Sequence, residues 1–113
     1  MFRFAADRIP VFFVLASSAI DFSVYFLVDN VLWLLAYTVL MVLPKGIICA
    51  WNHHHQHTMT VHWKPLNRLL EFFYALHTGV TTNLWVLHHV LGHHRNFLDQ
   101  SRDESGWKRA DGS

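Results

Sequence analysis

The chain has 113 residues, room for one domain at most, and only one cysteine, Cys49, which rules out an internal disulfide framework. Hydrophobic residues make up 52 % and charged residues 15 %, with a formal net charge of +1. That balance is apolar for an ordinary soluble domain and argues against a basic nucleic-acid surface, so no nucleic-acid partner is expected.

Met1–Asp7 is a short mixed leader whose neighbouring cations are Arg3 and Arg8. From Ile9 to Val28 the chain is largely apolar, about the length that crosses a ~30 Å hydrocarbon core. A secretory signal peptide would have a shorter apolar core and a small-residue cleavage site, and a second span would not follow so closely. Asp21 is costly inside a span, so it is expected to face another helix or the site side rather than lipid. Asp29 and Asn30 form a very short polar break, and Val31–Ala50 supplies a second apolar run. So short a link requires an antiparallel hairpin of spans at about 9–28 and 31–50. Within the second span Pro44 predicts a kink, since it removes a backbone donor and crowds the preceding turn. Lys45 is expected to snorkel towards the nearer interface, and Cys49 to act as a small buried hydrophobe.

The hairpin runs into the first histidine block, Trp51–His57, which reads WNHHHQH. His53 and His57 are four residues apart, which places both on one helical face. His54, three before His57, is held in reserve, whereas His55 points away from the pair. Trp51 suits an anchor at the membrane exit. After a loop over Thr58–Lys64, Pro65 is well placed to open a helix. Leu66, Leu69, Leu70 and Phe73 recur there at amphipathic spacing, with Arg68 and Glu71 opposite. The pattern predicts an interfacial helix over 65–77, apolar face down, with Trp63 and Tyr74 at the same depth. His62 and His77 stand alone and read as structural. Gly79–Asn83 breaks the pattern, and Thr82 or Asn83 is expected to cap a helix from Leu84.

That helix carries the second block, Leu87–Asn96, which reads LHHVLGHHRN. On an α-helix His89 and His93 share a face, while His94 points about 100° further round and suits a second ion or a shared site. His88 lies on the other flank and is the weakest of the four. Gly92 argues against a straight helix through the block. From Asp99 the chain is polar. Asp99, Asp103 and Glu104 are near enough in sequence to orient imidazoles as acceptors, and Lys108–Ser113 reads as a solvated tail.

Eight of the ten histidines fall in these two blocks, a density that packing does not explain and metal ligation does. Interruption by Gln56 and by Val90-Leu91-Gly92 argues against a purification tag. Many imidazoles with no useful thiolate select Fe, Zn, Cu or Ni. A single zinc needs three or four ligands, so the excess points to a dinuclear site. Cations flank the hairpin (Arg3 and Arg8 before it; Lys64, Arg68, Arg95, Arg102, Lys108 and Arg109 after it) and are absent from its turn. By the positive-inside rule an integral membrane protein of this kind keeps both termini and both blocks cytoplasmic.

The two blocks, HHHQH and HHVLGHH, placed after a hydrophobic hairpin and separated by an interfacial stretch, resemble the first two histidine boxes of the membrane fatty acid desaturase family, which includes related hydroxylases. The run LGHHRNFLDQSRDES strengthens the likeness. His53 and His57 match the first box as H-x-x-x-H. His89, His93 and His94 match the second as H-x-x-x-HH, where H-x-x-HH is commoner, so His88 stays beside His89 as an alternative and His54 beside the first pair. The resemblance implies a non-haem site of two Fe, dioxygen as co-substrate, a membrane acyl substrate and a redox electron donor of ferredoxin or cytochrome b5 type. Family members continue to a third H-x-x-HH box. The chain therefore reads as an N-terminal portion, completed by a missing C-terminal half or by a second copy in a homo-oligomer.

The expected fold is an all-α membrane protein: a two-span hairpin over residues 1–50, then a histidine-box region over 51–98 with its interfacial helix and His-bearing helix, then a polar tail over 99–113. The expected function is part of an oxygen-dependent di-iron acyl desaturase. The alternatives are a lipid or alkane hydroxylase of the same family, or a non-catalytic His-rich metal binder. A haem protein ranks below these, since it needs one histidine from each of two helices and leaves the clusters redundant.

Overall fold

The computed structural model describes residues 1–99 and 101–103. The acceptor role expected of Glu104 and the solvated tail at Lys108–Ser113 lie outside the described residues. Those described are helical, joined by turns, with one isolated antiparallel bridge between Phe2 and Val61. They divide into two compact units, the first ending at Val80 and the second beginning at Thr81.

The first unit opens with a 3-10 turn, Ala5–Asp7, which leads into α1, Arg8–Leu27. Helix α2 spans Val31–His57. The polar break between them also caps the second helix. Asn30 Oδ1 accepts from the backbone N–H of Leu32 (2.9 Å) and Trp33 (3.3 Å), satisfying donors that a helix start leaves without partners. Both helices are long and apolar enough to cross a membrane. Their outward faces carry Phe12, Tyr25, Phe26, Leu32, Trp33, Val39 and Leu43 exposed. So large an apolar surface is foreign to a soluble monomer and suited to lipid. Cys49 lies on that exposed surface, which corrects its expected burial. Helix α2 continues unbroken through Pro44. At 1.5 Å per residue its 27 residues reach about 40 Å, beyond a ~30 Å hydrocarbon core.

Helix α3, Lys64–Thr78, starts with Pro65 in its first turn and stops at Gly79, whose φ of 71° is the left-handed value that glycine adopts without strain. It packs on both α1 and α2. Val14 of α1, Ile48 of α2 and Leu70 and Tyr74 of α3 form the buried core, flanked by Val11, Phe13, Trp51 and Phe73. The Phe13 and Trp51 rings meet edge to face at 5.3 Å. Burial, reinforced by Asp7, pushes the Tyr74 hydroxyl up to about 12. The inward face of α3 differs from the expected stripe. Asn67, Leu70, Glu71 and Tyr74 are buried, whereas Leu69, Phe72 and Leu76 are exposed. Glu71 tolerates burial because Arg68 pairs with its Oε2 at 2.6 Å.

Three helices are joined by one polar group. Asp21 of α1 pairs with Lys45 of α2 and accepts from Tyr37 of the same helix. Lys45 therefore does not snorkel; a carboxylate neutralises it within the hairpin, at lower cost than an unpaired ammonium in lipid. His77 of α3, which seemed isolated, completes the group. Its Nδ1 lies 2.6 Å from Lys45 Nζ and 3.2 Å from Asp21 Oδ2. An ammonium only donates, so Nδ1 accepts and Nε2 carries the proton, directed at Ser18 Oγ (2.8 Å) and the Val14 carbonyl (3.3 Å). Burial first, then the Lys45 charge, lowers the pKa of His77 and keeps its ring neutral.

Two expectations follow. Asp21→Ala should lower stability in detergent by about 1–3 kcal/mol, because it strands the ammonium; thermal melting should show the Asp21→Leu/Lys45→Met double variant closer to wild type than Asp21→Ala. The depressed His77 pKa has a defined sign. Its contribution is present above the unfolded value of about 6.5 and is lost as pH falls through that value towards the folded one. Melting measured from pH 7.5 down to 5 should therefore decline less steeply in His77→Gln than in wild type.

Candidate metal centre

In the first unit the last turns of α2 carry four histidines with three different environments. His53 and His57 lie on one face, their Nε2 atoms 3.1 Å apart and their ring centroids 4.8 Å apart. The i, i+4 spacing delivers this pair as expected. His54 is exposed. His55 is fully buried on the opposite side. Its Nδ1 accepts from Thr60 Oγ1 (2.7 Å) and from the Thr60 backbone N–H (3.4 Å), and its ring packs against Tyr74 at 5.4 Å. Nε2 therefore carries the proton and faces Glu71 Oε1 at 3.9 Å, too long for a hydrogen bond. Asn52 is also buried; it donates to Thr78 Oγ1 at 3.5 Å and accepts from Gln56 at 3.1 Å. Asn52 and His55 thus fasten the end of α2 to α3 and the loop between them. His53 and His57 are left on the outer side, about half a turn away.

The second unit starts at Thr81, which stands at the N-cap of the short helix α4, Thr82–Trp85, without a side-chain cap bond. The expected capping by Thr82 or Asn83 before Leu84 is thereby replaced by a start two residues earlier. The chain then winds as a π-helix over Val86–His93 and as a 3-10 turn over His94–Asn96. This winding changes which imidazoles meet. A π-turn bonds i to i+5, so residues five apart become neighbours. His89 and His94 approach with Nε2 atoms 3.1 Å apart, and their centroids, at 4.6 Å, are closer than the 5.5 Å between His89 and His93. The α-helical expectation had sent His94 round to a different direction.

His93 has its own partner. Its Nδ1 lies 2.8 and 3.0 Å from the two carboxylate oxygens of Asp103, which is buried, and its ring meets Phe97 edge-on at 5.3 Å. A carboxylate on one ring nitrogen fixes the tautomer and leaves the lone pair on the other. Asp99 serves the turn instead, accepting from the Ser101 N–H (3.1 Å) and hydroxyl (2.6 Å). The Trp85 ring lies 4.5 Å from that of His89, and His88 is exposed.

The donor set fits a first-row metal. Imidazole nitrogens sit about 2.0–2.1 Å from such an ion, so two ligands of one ion lie roughly 3 Å apart, as the nitrogens of each pair do. Sequence spacing could not have found Asn52, Thr60 or the π-winding. Their only signals were an asparagine beside the histidine run and Gly92 inside the second block.

Compared with known families, residues 29–113, about three quarters of the chain, match the fatty acid desaturase family. The chain belongs to that family. No curated protein and no solved structure matches it. Family membership makes it desaturase-like, one of a family of membrane oxidoreductases, and of the two long apolar helices α2 lies inside the matched region. Both histidine blocks fall inside the matched region.

The desaturase geometry separates two variants. His55→Ala removes a buried ring and its hydrogen bonds and should cost about 2–4 kcal/mol of stability, whereas His57→Ala on the exposed side should melt within about 0.5 kcal/mol of wild type. Thermal melting of both in the same detergent checks this. Asp103→Asn should weaken metal binding about 10- to 100-fold, through loss of the His93 orientation, when affinity is measured by competition with a chelator.

Proposed function

We propose that this chain contributes the histidines of a non-haem di-iron centre to an oxygen-dependent desaturase acting on membrane acyl chains. The observation that carries the reading is the approach of imidazole nitrogens to 3.1 Å within each block, in a chain of the desaturase family. His53 and His57 in the first block, and His89, His93 and His94 in the second, are the residues that would hold the metal. His54 and His88 stand in reserve. Bound iron would supply the redox chemistry with dioxygen that an unactivated C–H bond requires. The protein's own part is placement. The apolar hairpin keeps the first block at the end of a span, where a lipid chain is at hand, and Asp103 holds the His93 ring in one tautomer.

Electrons would come from a redox donor of ferredoxin or cytochrome b5 type. The cations flanking the hairpin favour a cytoplasmic face for both termini and both boxes, where such a donor resides.

The deciding measurement is iron content of the detergent-purified protein by elemental analysis. Wild type should carry iron, and His57→Ala and His94→Ala should each lose most of it while staying folded. Iron unchanged in both variants would refute the assignment. A reporter fused after Ser113 should register on the cytoplasmic side, and an external signal would overturn the orientation.

A further inference from the structure

Away from the histidine pairs, the first unit contains a cavity of about 300 Å³ lined by Arg3, Met59, His62, Lys64, Asn67, Arg68 and Glu71. Its walls come from three segments brought together by backbone pairing. The Arg3 N–H donates to the Thr60 carbonyl at 2.9 Å, and the His62 N–H donates to the Met1 carbonyl at 3.1 Å. These bonds hold the first residues alongside the loop that follows α2. Asn67 clamps the same loop, accepting from the Val61 N–H (3.0 Å) and donating to the Val61 carbonyl (2.9 Å). Arg3, from the start of the chain, is thereby held beside Lys64 and Arg68 in the first turns of α3.

The charge is one-sided. Three permanent cations line the cavity against one carboxylate, Glu71, which already pairs with Arg68. Arg3, Lys64 and Arg68 are all exposed, so their charged ends are accessible. Helix α3 begins here without a side-chain cap. The outward face of α3 is apolar through Leu69, Phe72 and Leu76, and Trp63 is exposed at its start. A basic cavity beside an apolar outward face matches an anionic headgroup above its acyl chains.

The geometry points to a phosphate-binding site in this cavity, formed by Arg3, Lys64 and Arg68, whose ligand is the phosphodiester of a membrane phospholipid. The guanidinium groups supply forked donors and the ammonium a point charge, and an excess of two positive charges suits a phosphodiester. The site is independent of iron, and neither histidine pair takes part in it.

The test is native mass spectrometry of the full chain in uncharged detergent, with phosphatidylglycerol, diacylglycerol or inorganic phosphate added. Wild type should retain phosphatidylglycerol about tenfold more than diacylglycerol of the same chains. The Arg3→Gln/Lys64→Gln double variant should lose that preference, and Arg8→Gln, at the start of α1, should keep it. Arg68 is left intact because it neutralises Glu71. If the double variant melts, the exposed single change Arg3→Gln should still reduce retention about threefold. Displacement by millimolar inorganic phosphate would support the phosphate site while assigning it to free phosphate, and resistance to displacement would support the lipid. Retention in the double variant equal to wild type, or equal retention of diacylglycerol, would overturn the proposal.

Discussion

The fold of the first unit depends on neutralising one charge in an apolar place. Lys45 sits in the middle of a helix whose outward surface is Leu, Val and Trp, and an ammonium there needs a partner. Asp21 supplies it from α1, and His77 joins from α3 with a neutral ring that accepts from the ammonium and donates to Ser18 and Val14. Because hydrogen bonds are directional, this group restricts how the three helices can pack. Apolar side chains alone would leave helices free to slide or rotate against one another in lipid, where no hydrophobic force distinguishes neighbours.

From that arrangement the position of α3 follows, and with it the seat for the end of α2. Tyr74 and Glu71 of α3 face His55, and Thr60 in the loop satisfies its Nδ1. One histidine of the run is thus spent on packing so that His53 and His57 hold a defined direction. The pairing of roles is physical. A neutral imidazole can fill core volume while its acceptor nitrogen is satisfied by Thr60, and the pair on the opposite face is left clear of the packing.

The second unit reaches a comparable pair by a different backbone. The first block uses an α-helix and residues four apart; the second uses a π-helix and residues five apart. A wider turn lets His89 meet His94 and directs His93 towards Asp103. The adjacent histidines of the second block therefore have distinct surroundings, one against a second imidazole and one against a carboxylate.

Much was decided by the sequence alone. Two long apolar runs with a two-residue polar break require a helical hairpin, because nothing else satisfies that much backbone in lipid. The density of histidines at helical spacing marked the ligand candidates and carried the likeness to desaturases. The i, i+4 rule found His53 with His57 and set His55 apart, since α2 is regular there. What only the tertiary structure decided was everything set by partners distant in the chain. Lys45 was expected at an interface, yet Asp21 is 24 residues away in sequence and beside it in space. Glu71 is expected on the polar face of α3, but the approach of α2 at His55 buries it, and among the described residues only Arg68 pairs with it. His94 was sent in the wrong direction because helical periodicity presumes 3.6 residues per turn, and a π-turn does not announce itself in spacing. Local pattern determines which residues are available to a helix face; packing and winding determine which of them meet.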